Sequence, residues 1–259
     1  MDYSKWFSLE GKKAMVIGGG GGLGQAIAEG LAAFGAEVAI ASRNLETLKT
    51  AADEIKQNVG KEIAVFQVDV ADEQSVKDLV AKCKTEFGEV DILVNSQGYN
   101  KKYPLLEQPV DEWDRTYAIN VKGMMLCCKE FGRGMVERRY GRIINIGSVG
   151  AFTHSPSGIS GAYSSSKGAV HNFTADLAVA WGKYNVTVNE VAPILTPTKM
   201  TLPIFQQDPA HLKAVEENNP MGRLATPLDT VAPVIFFASD AAGFVNGQYL
   251  LPDGGLSAI

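Results

Sequence analysis

The stretch "MVIGGGGGLGQAIA", residues 15–28, decides the fold. Six of the seven positions from Gly18 to Gly24 are glycine. Glycine loses more chain entropy on folding than any other residue, so such a run weakens its own segment. It is either a flexible linker or a loop that lets a ligand approach the backbone closely. The flanks choose between these. "KAMVIG" (13–18) is an apolar, β-rich run, and beyond the glycines Leu23, Ile27, Leu31 and Phe34 fall on one helical stripe that Gly35 stops. A linker is not followed at once by an amphipathic helix. At a strand-to-helix turn, glycines permit the bend, remove every Cβ between backbone N–H groups and a phosphate, and present the positive end of a helix. Gly18, Gly20, Gly21, Gly22, Leu23 and Gly24 therefore read as a pyrophosphate cradle, with a purely structural turn as the alternative. The spacing Gly18-x-x-x-Gly22-x-Gly24 is looser than the usual Gly-x-Gly-x-x-Gly.

The alternation continues along the chain. "EVAIAS" (37–42), "EIAVFQV" (62–68), "DILVNS" (91–96), "GRIINIG" (141–147), "VTVNEVA" (186–192) and "QYLLPDGG" (248–255) read as strands, several apolar on both faces as in a covered parallel sheet. Helical patterning fills 44–57, 110–138 and 161–183 between them. Strands alternating with helices of this length predict right-handed βαβ crossovers. The expectation is an α/β, single-domain Rossmann fold over residues 1–259, with a doubly wound seven-stranded parallel sheet and helices on both faces. The polar, proline-bearing stretch at about 194–227 reads as an inserted substrate lid rather than a second domain.

Composition excludes several classes. With 259 residues, 46% of them apolar, one core is affordable, and no 18-residue apolar run suggests a membrane span. A net charge of −5 argues against a nucleic-acid surface. Three cysteines, Cys83, Cys127 and Cys128, and an N-terminus without the signal-peptide order point to a reducing, cytoplasmic setting. No His/Cys/Asp cluster suggests a metal.

The end of the second strand reads out the nucleotide. An acid there holds the ribose 2′-hydroxyl of NAD, whereas arginine accommodates the 2′-phosphate of NADP. The sequence offers Ser42-Arg43-Asn44, and a hydroxyl beside a guanidinium suits a phosphate. NADP(H) is expected; the bland alternative makes Arg43 a solvated helix-start residue.

"GAYSSSKGAV" (161–170) sets Tyr163 and Lys167 one helical turn apart. An ammonium beside a phenol favours the phenolate, which suits proton exchange with a substrate oxygen. Alone, such a pair is more often a surface contact. Ser148 ends a buried strand, at the edge where open α/β sheets bind ligands, though a turn serine is the plain alternative. Asn120 is a poor helix former inside a long helical pattern, where it could open a local water site.

Taken together, the chain resembles the short-chain dehydrogenase/reductase family over nearly its whole length. The blocks run in order: the glycine turn, "VDV" (68–70), "NSQG" (95–98), "IN" (119–120), "NIGS" (145–148), "YSSSK" (163–167), "VAP" (191–193), "TKM" (198–200) and "PDGG" (252–255). The resemblance implies that Tyr163 is the general acid in reduction and the base in oxidation. It implies that Lys167 supports the phenolate and holds the nicotinamide ribose, Ser148 bonds the substrate oxygen, and Asn120 holds a relay water. It also implies Asp69 and Val70 beside the adenine, Asn95 at the adjoining ribose, Gln97, Gly98 and Pro193 along the cofactor, Thr198 at the carboxamide, and a homotetramer. Departures are Ile17 where the family has a threonine, Gln97 in its Asn-Asn-Ala-Gly block, Ile194 in its Pro-Gly, and 14 residues between Ser148 and Tyr163. The absent hydroxyl at Ile17 predicts a looser glycine turn.

"GYNKKYPLLE" (98–107) is similar to a basic stretch of gluconate 5-dehydrogenases and related sugar-acid members, so Lys101 and Lys102 are expected to hold an aldonate carboxylate, unless the pair is simply solvated or touches a neighbouring subunit. His154 could touch a substrate hydroxyl, although a loop histidine is commonly just exposed. The expected reaction interconverts a secondary alcohol and a ketone on a small sugar acid or polyol, with no nucleic-acid or membrane partner. A 3-oxoacyl-thioester reductase served by an acidic carrier protein is the alternative within the class, and a non-catalytic dinucleotide-binding regulator the alternative outside it.

Overall fold

A computed structural model describes residues 3–153, 158–198, 202 and 209–259. Seven strands form one sheet: β1 Lys13–Ile17, β2 Glu37–Ser42, β3 Ile63–Gln67, β4 Ile92–Asn95, β5 Gly141–Ile146, β6 Val186–Val191 and β7 Tyr249–Leu250. Their order is β3-β2-β1-β4-β5-β6-β7 and every pairing is parallel. The expected Rossmann architecture is therefore observed. β7 is shorter than its apolar pattern because Pro252 carries no N–H to continue a ladder and Asp253 turns back to accept from the Gly255 and Ser257 N–H groups.

The helices are α1 Gly22–Ala33, α2 Leu45–Val59, α3 Glu73–Glu86, α4 Val110–Tyr117, α5 Gly123–Arg138, α6 Gly161–Trp181, α7 Pro209–Glu217 and α8 Pro227–Ala238. Alternate strand residues feed two cores. Ala14 and Val16 pack with Ile27 and Leu31 of α1, Leu48 and Ile55 of α2, and Val234 and Phe237 of α8. Met15 and Ile17 face the other way, with Val76 and Leu79 of α3, Leu126 and Met135 of α5, and Val170 of α6. The period-2 geometry of strands produces this two-sided burial. The continuous helical pattern at 110–138 is broken once: residues Ala118–Lys122 form a π turn between α4 and α5, with Asn120 inside it. Among the described residues, no helix is long and apolar enough to cross a membrane, and no group of three or more His, Cys, Asp or Glu could hold a metal.

Candidate active site

β1 and β4 are neighbours in the sheet although they are not consecutive in the chain. Connections leave their carboxyl ends in opposite directions, which opens the crevice where such sheets bind ligands. The glycine turn lines it. Gly18 has φ +82°, and a Cβ there would sit 2.8–2.9 Å from the backbone of Ser96 and Gln97. A Cβ on Gly24 would collide with the Gly18 carbonyl, so the turn and the helix start need their glycines. Ile17 supplies no hydroxyl, and backbone bonds brace the turn instead: Gly18 N donates to Ala41 O at 2.7 Å and Ser96 N to Ile17 O at 2.9 Å. Leu23 packs against the α1-side core.

The N-cap of α1 is Gly21, and no side chain caps that helix end. Its first-turn N–H groups are thus left for an incoming anion. Thr198 Oγ1 stands 3.8 Å from where a Gly22 Cβ would be, so the loop after β6 overhangs the turn. Ser42 Oγ lies against Gly20 in the same way, at 3.0 Å. Arg43, Phe66, Gln67, Val68 and Asp69 line an adjoining open cleft. An uncapped helix end beside a glycine-lined floor and an arginine-lined cleft fits a phosphorylated dinucleotide.

Other expected cofactor residues are engaged within the fold. Asn44 Oδ1 accepts from Glu46 N and Thr47 N and so caps α2. Asp69 Oδ1 accepts from Ala71 N at 3.0 Å, and Val70 is buried against Gly123. Asn95 Nδ2 donates to Asn145 Oδ1 at 2.9 Å, while its own Oδ1 is buried with no partner among the described residues. Both amide atoms of Gln97 are likewise buried and unpartnered there. Gly98 is exposed, and the Pro193 carbonyl accepts from Val149 N at 3.0 Å.

Four side chains gather where β5 ends. Lys167 is 4% exposed, and its Nζ donates to the Ile146 carbonyl at 2.7 Å while lying 5.7 Å from the centre of the Tyr163 ring. Ser148 follows β5 and its Oγ accepts from Gly150 N at 3.1 Å. Asn120 reaches across: its Oδ1 accepts from Tyr99 N at 2.7 Å, and its Nδ2 donates to Tyr99 O at 3.0 Å and Ser166 Oγ at 2.9 Å. π turns displace one residue from helical register, which is how Asn120 leaves its helix and meets α6.

The basic pair divides. Lys101 Nζ sits 2.8 Å from Glu112 Oε1, and the Tyr99 hydroxyl donates to Glu112 Oε2 at 2.6 Å. The Lys101 bond holds the Glu112 carboxyl below its ordinary range, and Glu112 in turn holds the Lys101 ammonium above its own. Lys102 is exposed and forms no ion pair among the described residues. His154 lies outside the described residues.

Sequence reading missed one pair. His171 Nδ1 lies 2.9 Å from Oε2 of Glu190, a carboxylate with no solvent exposure. The signal was present, since Val186, Val188 and Glu190 alternate onto one buried face of β6.

The comparisons agree with this geometry. Residues 18–257 match the family model described as enoyl-(acyl carrier protein) reductase. The chain is 35% identical over 258 residues to gluconate 5-dehydrogenase of Gluconobacter oxydans, covering 99% of both chains. It is 37% identical over 256 residues to galactitol 2-dehydrogenase (L-tagatose-forming) of Cereibacter sphaeroides, covering 98% of each. Its fold superposes with a TM-score of 0.92 on a gluconate 5-dehydrogenase of Burkholderia cenocepacia crystallised with NADP and tartrate, at 32% identity and 98% coverage of each chain. With this fold, this glycine turn and these full-length relatives, the chain belongs to the short-chain dehydrogenase/reductase family of oxidoreductases.

Proposed function

We propose that the protein interconverts a secondary alcohol and a ketone on a sugar acid or polyol, using NADP(H). The observation that carries this reading is the buried Lys167, pinned to the Ile146 carbonyl and lying over the ring of Tyr163, at the carboxyl edge of the sheet. Hydride chemistry belongs to NADP(H) bound along that edge. The uncapped start of α1 would hold its pyrophosphate, and Ser42 with Arg43 its 2′-phosphate.

The chain's own groups would manage the proton and the alignment. Ser148 Oγ already accepts from Gly150 N, which leaves its hydroxyl hydrogen for the substrate oxygen. Tyr163 would give a proton to that oxygen in reduction and take it back in oxidation. Lys167 would stabilise the phenolate left behind, as an opposite charge near an acid favours its ionised form. Asn120 would hold a water on the path to solvent, from the π turn that fixes it.

The relatives act on sugar acids and polyols by name, and the exposed Lys102 offers a carboxylate contact at the rim. Initial rates with 5-ketogluconate, a second keto-sugar and an acetoacetyl thioester, each with NADPH and NADH, test the reading. A keto-sugar reduced with NADPH is expected. Turnover of the thioester alone would overturn the substrate class, and preference for NADH would overturn the role given to Arg43.

A further inference from the structure

We propose that Glu190, held in place by His171, is a positioning residue that supplies the buried counter-charge for the Lys167 ammonium. The inference rests on the function proposed above. Lys167 is 4% exposed, and its neighbours are the Ile146 carbonyl at 2.7 Å and the Tyr163 ring at 5.7 Å, neither of them an anion. A buried ammonium without a counter-ion is costly and tends to shed its proton. Two carboxylates are buried among the described residues, Asp253 and Glu190. Asp253 is committed to the Gly255 and Ser257 N–H groups at the C-terminal turn. Glu190 projects from β6 toward α6, on which Lys167 and His171 stand one turn apart.

Its two oxygens face different neighbours. Oε2 takes the 2.9 Å bond from His171 Nδ1, and the His171 ring is packed edge-on against Phe152 at 5.0 Å and Tyr249 at 4.8 Å. Oε1 is buried with no hydrogen-bond partner among the described residues. It occupies the place a Cβ of Gly147 would take, so it lies against the peptide between Ile146 and Ser148. The Lys167 ammonium and the Glu190 carboxylate therefore meet the same short stretch of backbone, Ile146 and Gly147. Space rather than backbone conformation requires the glycine at position 147.

Burial pushes the Glu190 carboxyl up, while His171 and the Lys167 charge pull it partly back. The remaining charged and titratable groups on the packed elements are otherwise occupied or distant. Tyr163 lies under Lys167, Tyr249 of β7 packs on His171, and Glu112 and Arg115 of α4 are turned to Lys101 and the Tyr99 ring. Arg142 of β5 pairs with Asp240 at the opposite end of the sheet, and Arg223 holds Asp229 of α8. Asn120 and Asn145 are neutral.

The sign follows from the raised carboxyl. A group whose folded value lies above its unfolded value stabilises the fold below the unfolded value, and this stability is lost as pH rises through the folded one. Glu190 is therefore expected to lower stability at neutral and alkaline pH, which an activity can justify and a purely structural pair cannot. The test compares the wild type with Glu190→Gln, Glu190→Asp and His171→Gln. In Glu190→Gln, kcat is expected to fall about tenfold or more, with substrate KM within about twofold and with loss of an acid-side inflection in the pH profile. The melting temperature of the cofactor-free variant, relative to wild type, should rise between pH 5 and pH 8. Glu190→Asp should recover part of kcat, and His171→Gln should lose less than Glu190→Gln. Unchanged kcat and pH profile in Glu190→Gln, or a melting temperature lowered equally at every pH, would overturn the proposal. A wild type that reduces no ketone would instead defeat the proposed function, and the melting comparison would still report on Glu190.

Discussion

Lys101 and Lys102 are neighbours in sequence with different surroundings. Lys101 is held by Glu112, which also accepts from Tyr99, whose backbone N–H and carbonyl are both bonded by Asn120. That chain of contacts ties the loop after β4 to the π turn, so Lys101 serves the loop. Lys102, exposed and in no ion pair among the described residues, is the cation proposed to meet a substrate carboxylate. Lys102→Ala is expected to raise KM for a keto acid about tenfold with kcat within about twofold, and to leave KM for a neutral polyol unchanged, as steady-state kinetics would show. Equal effects on both substrates would remove Lys102 from the site. At this scale the sequence was a partial guide. That Tyr163 and Lys167 share one helix face, and that Ser148 follows β5, was legible from spacing and strand pattern. The Lys101–Glu112 pairing joins residues 11 apart through a loop whose path no periodicity describes.

Two elements carry consequences of their own. The π turn at Ala118–Lys122 exists to turn Asn120 toward Tyr99 and Ser166. Asn120→Ala leaves the Tyr99 N–H and carbonyl without that partner, at an expected cost of about 1–3 kcal/mol in urea unfolding. The apolar pattern through 110–138 runs on without interruption, so this register shift showed in the sequence only as one poor helix former. The start of α8 is a capping box: Thr226 N donates to Asp229 Oδ2 at 2.7 Å, and Arg223 grips both Asp229 oxygens at 2.8 Å. The Arg223 guanidinium, helped by Thr226, holds the Asp229 carboxyl well below the usual carboxylate range. A depressed carboxyl contributes stability above its unfolded value near about 4, and that stability fades as pH falls through the lower folded value. Asp229→Asn should therefore lower the melting temperature by about 2–4 °C at pH 7, with the gap closing below about pH 4. A gap that is constant with pH would show that the charge contributes nothing.

Across the whole molecule, the sheet order was within reach of the sequence because right-handed crossovers admit few arrangements of seven strands separated by helices. The two cores followed from alternation, as Ala14 and Val16 face one layer and Met15 and Ile17 the other. The buried Glu190–His171 pair was harder to foresee, since it depends on α6 crossing β6 at the height of Lys167. The chain also leaves large apolar side chains uncovered, among them Leu106 at 100%, Val179 at 87% and Phe244 at 104% exposure. Such surfaces suit self-association, and the proposed homotetramer predicts a four-chain species in analytical ultracentrifugation. A monomer at micromolar concentration would contradict it.

In the proposed reaction Tyr163 carries the proton at a site that binds NADP(H). Tyr163→Phe removes one hydroxyl and keeps the ring under Lys167. With NADPH binding followed by fluorescence and ketone reduction by absorbance on the same sample, kcat is expected to fall about 10²–10⁴-fold while NADPH affinity stays within a few-fold. Full activity in the phenylalanine variant, with NADPH bound normally, would contradict the account.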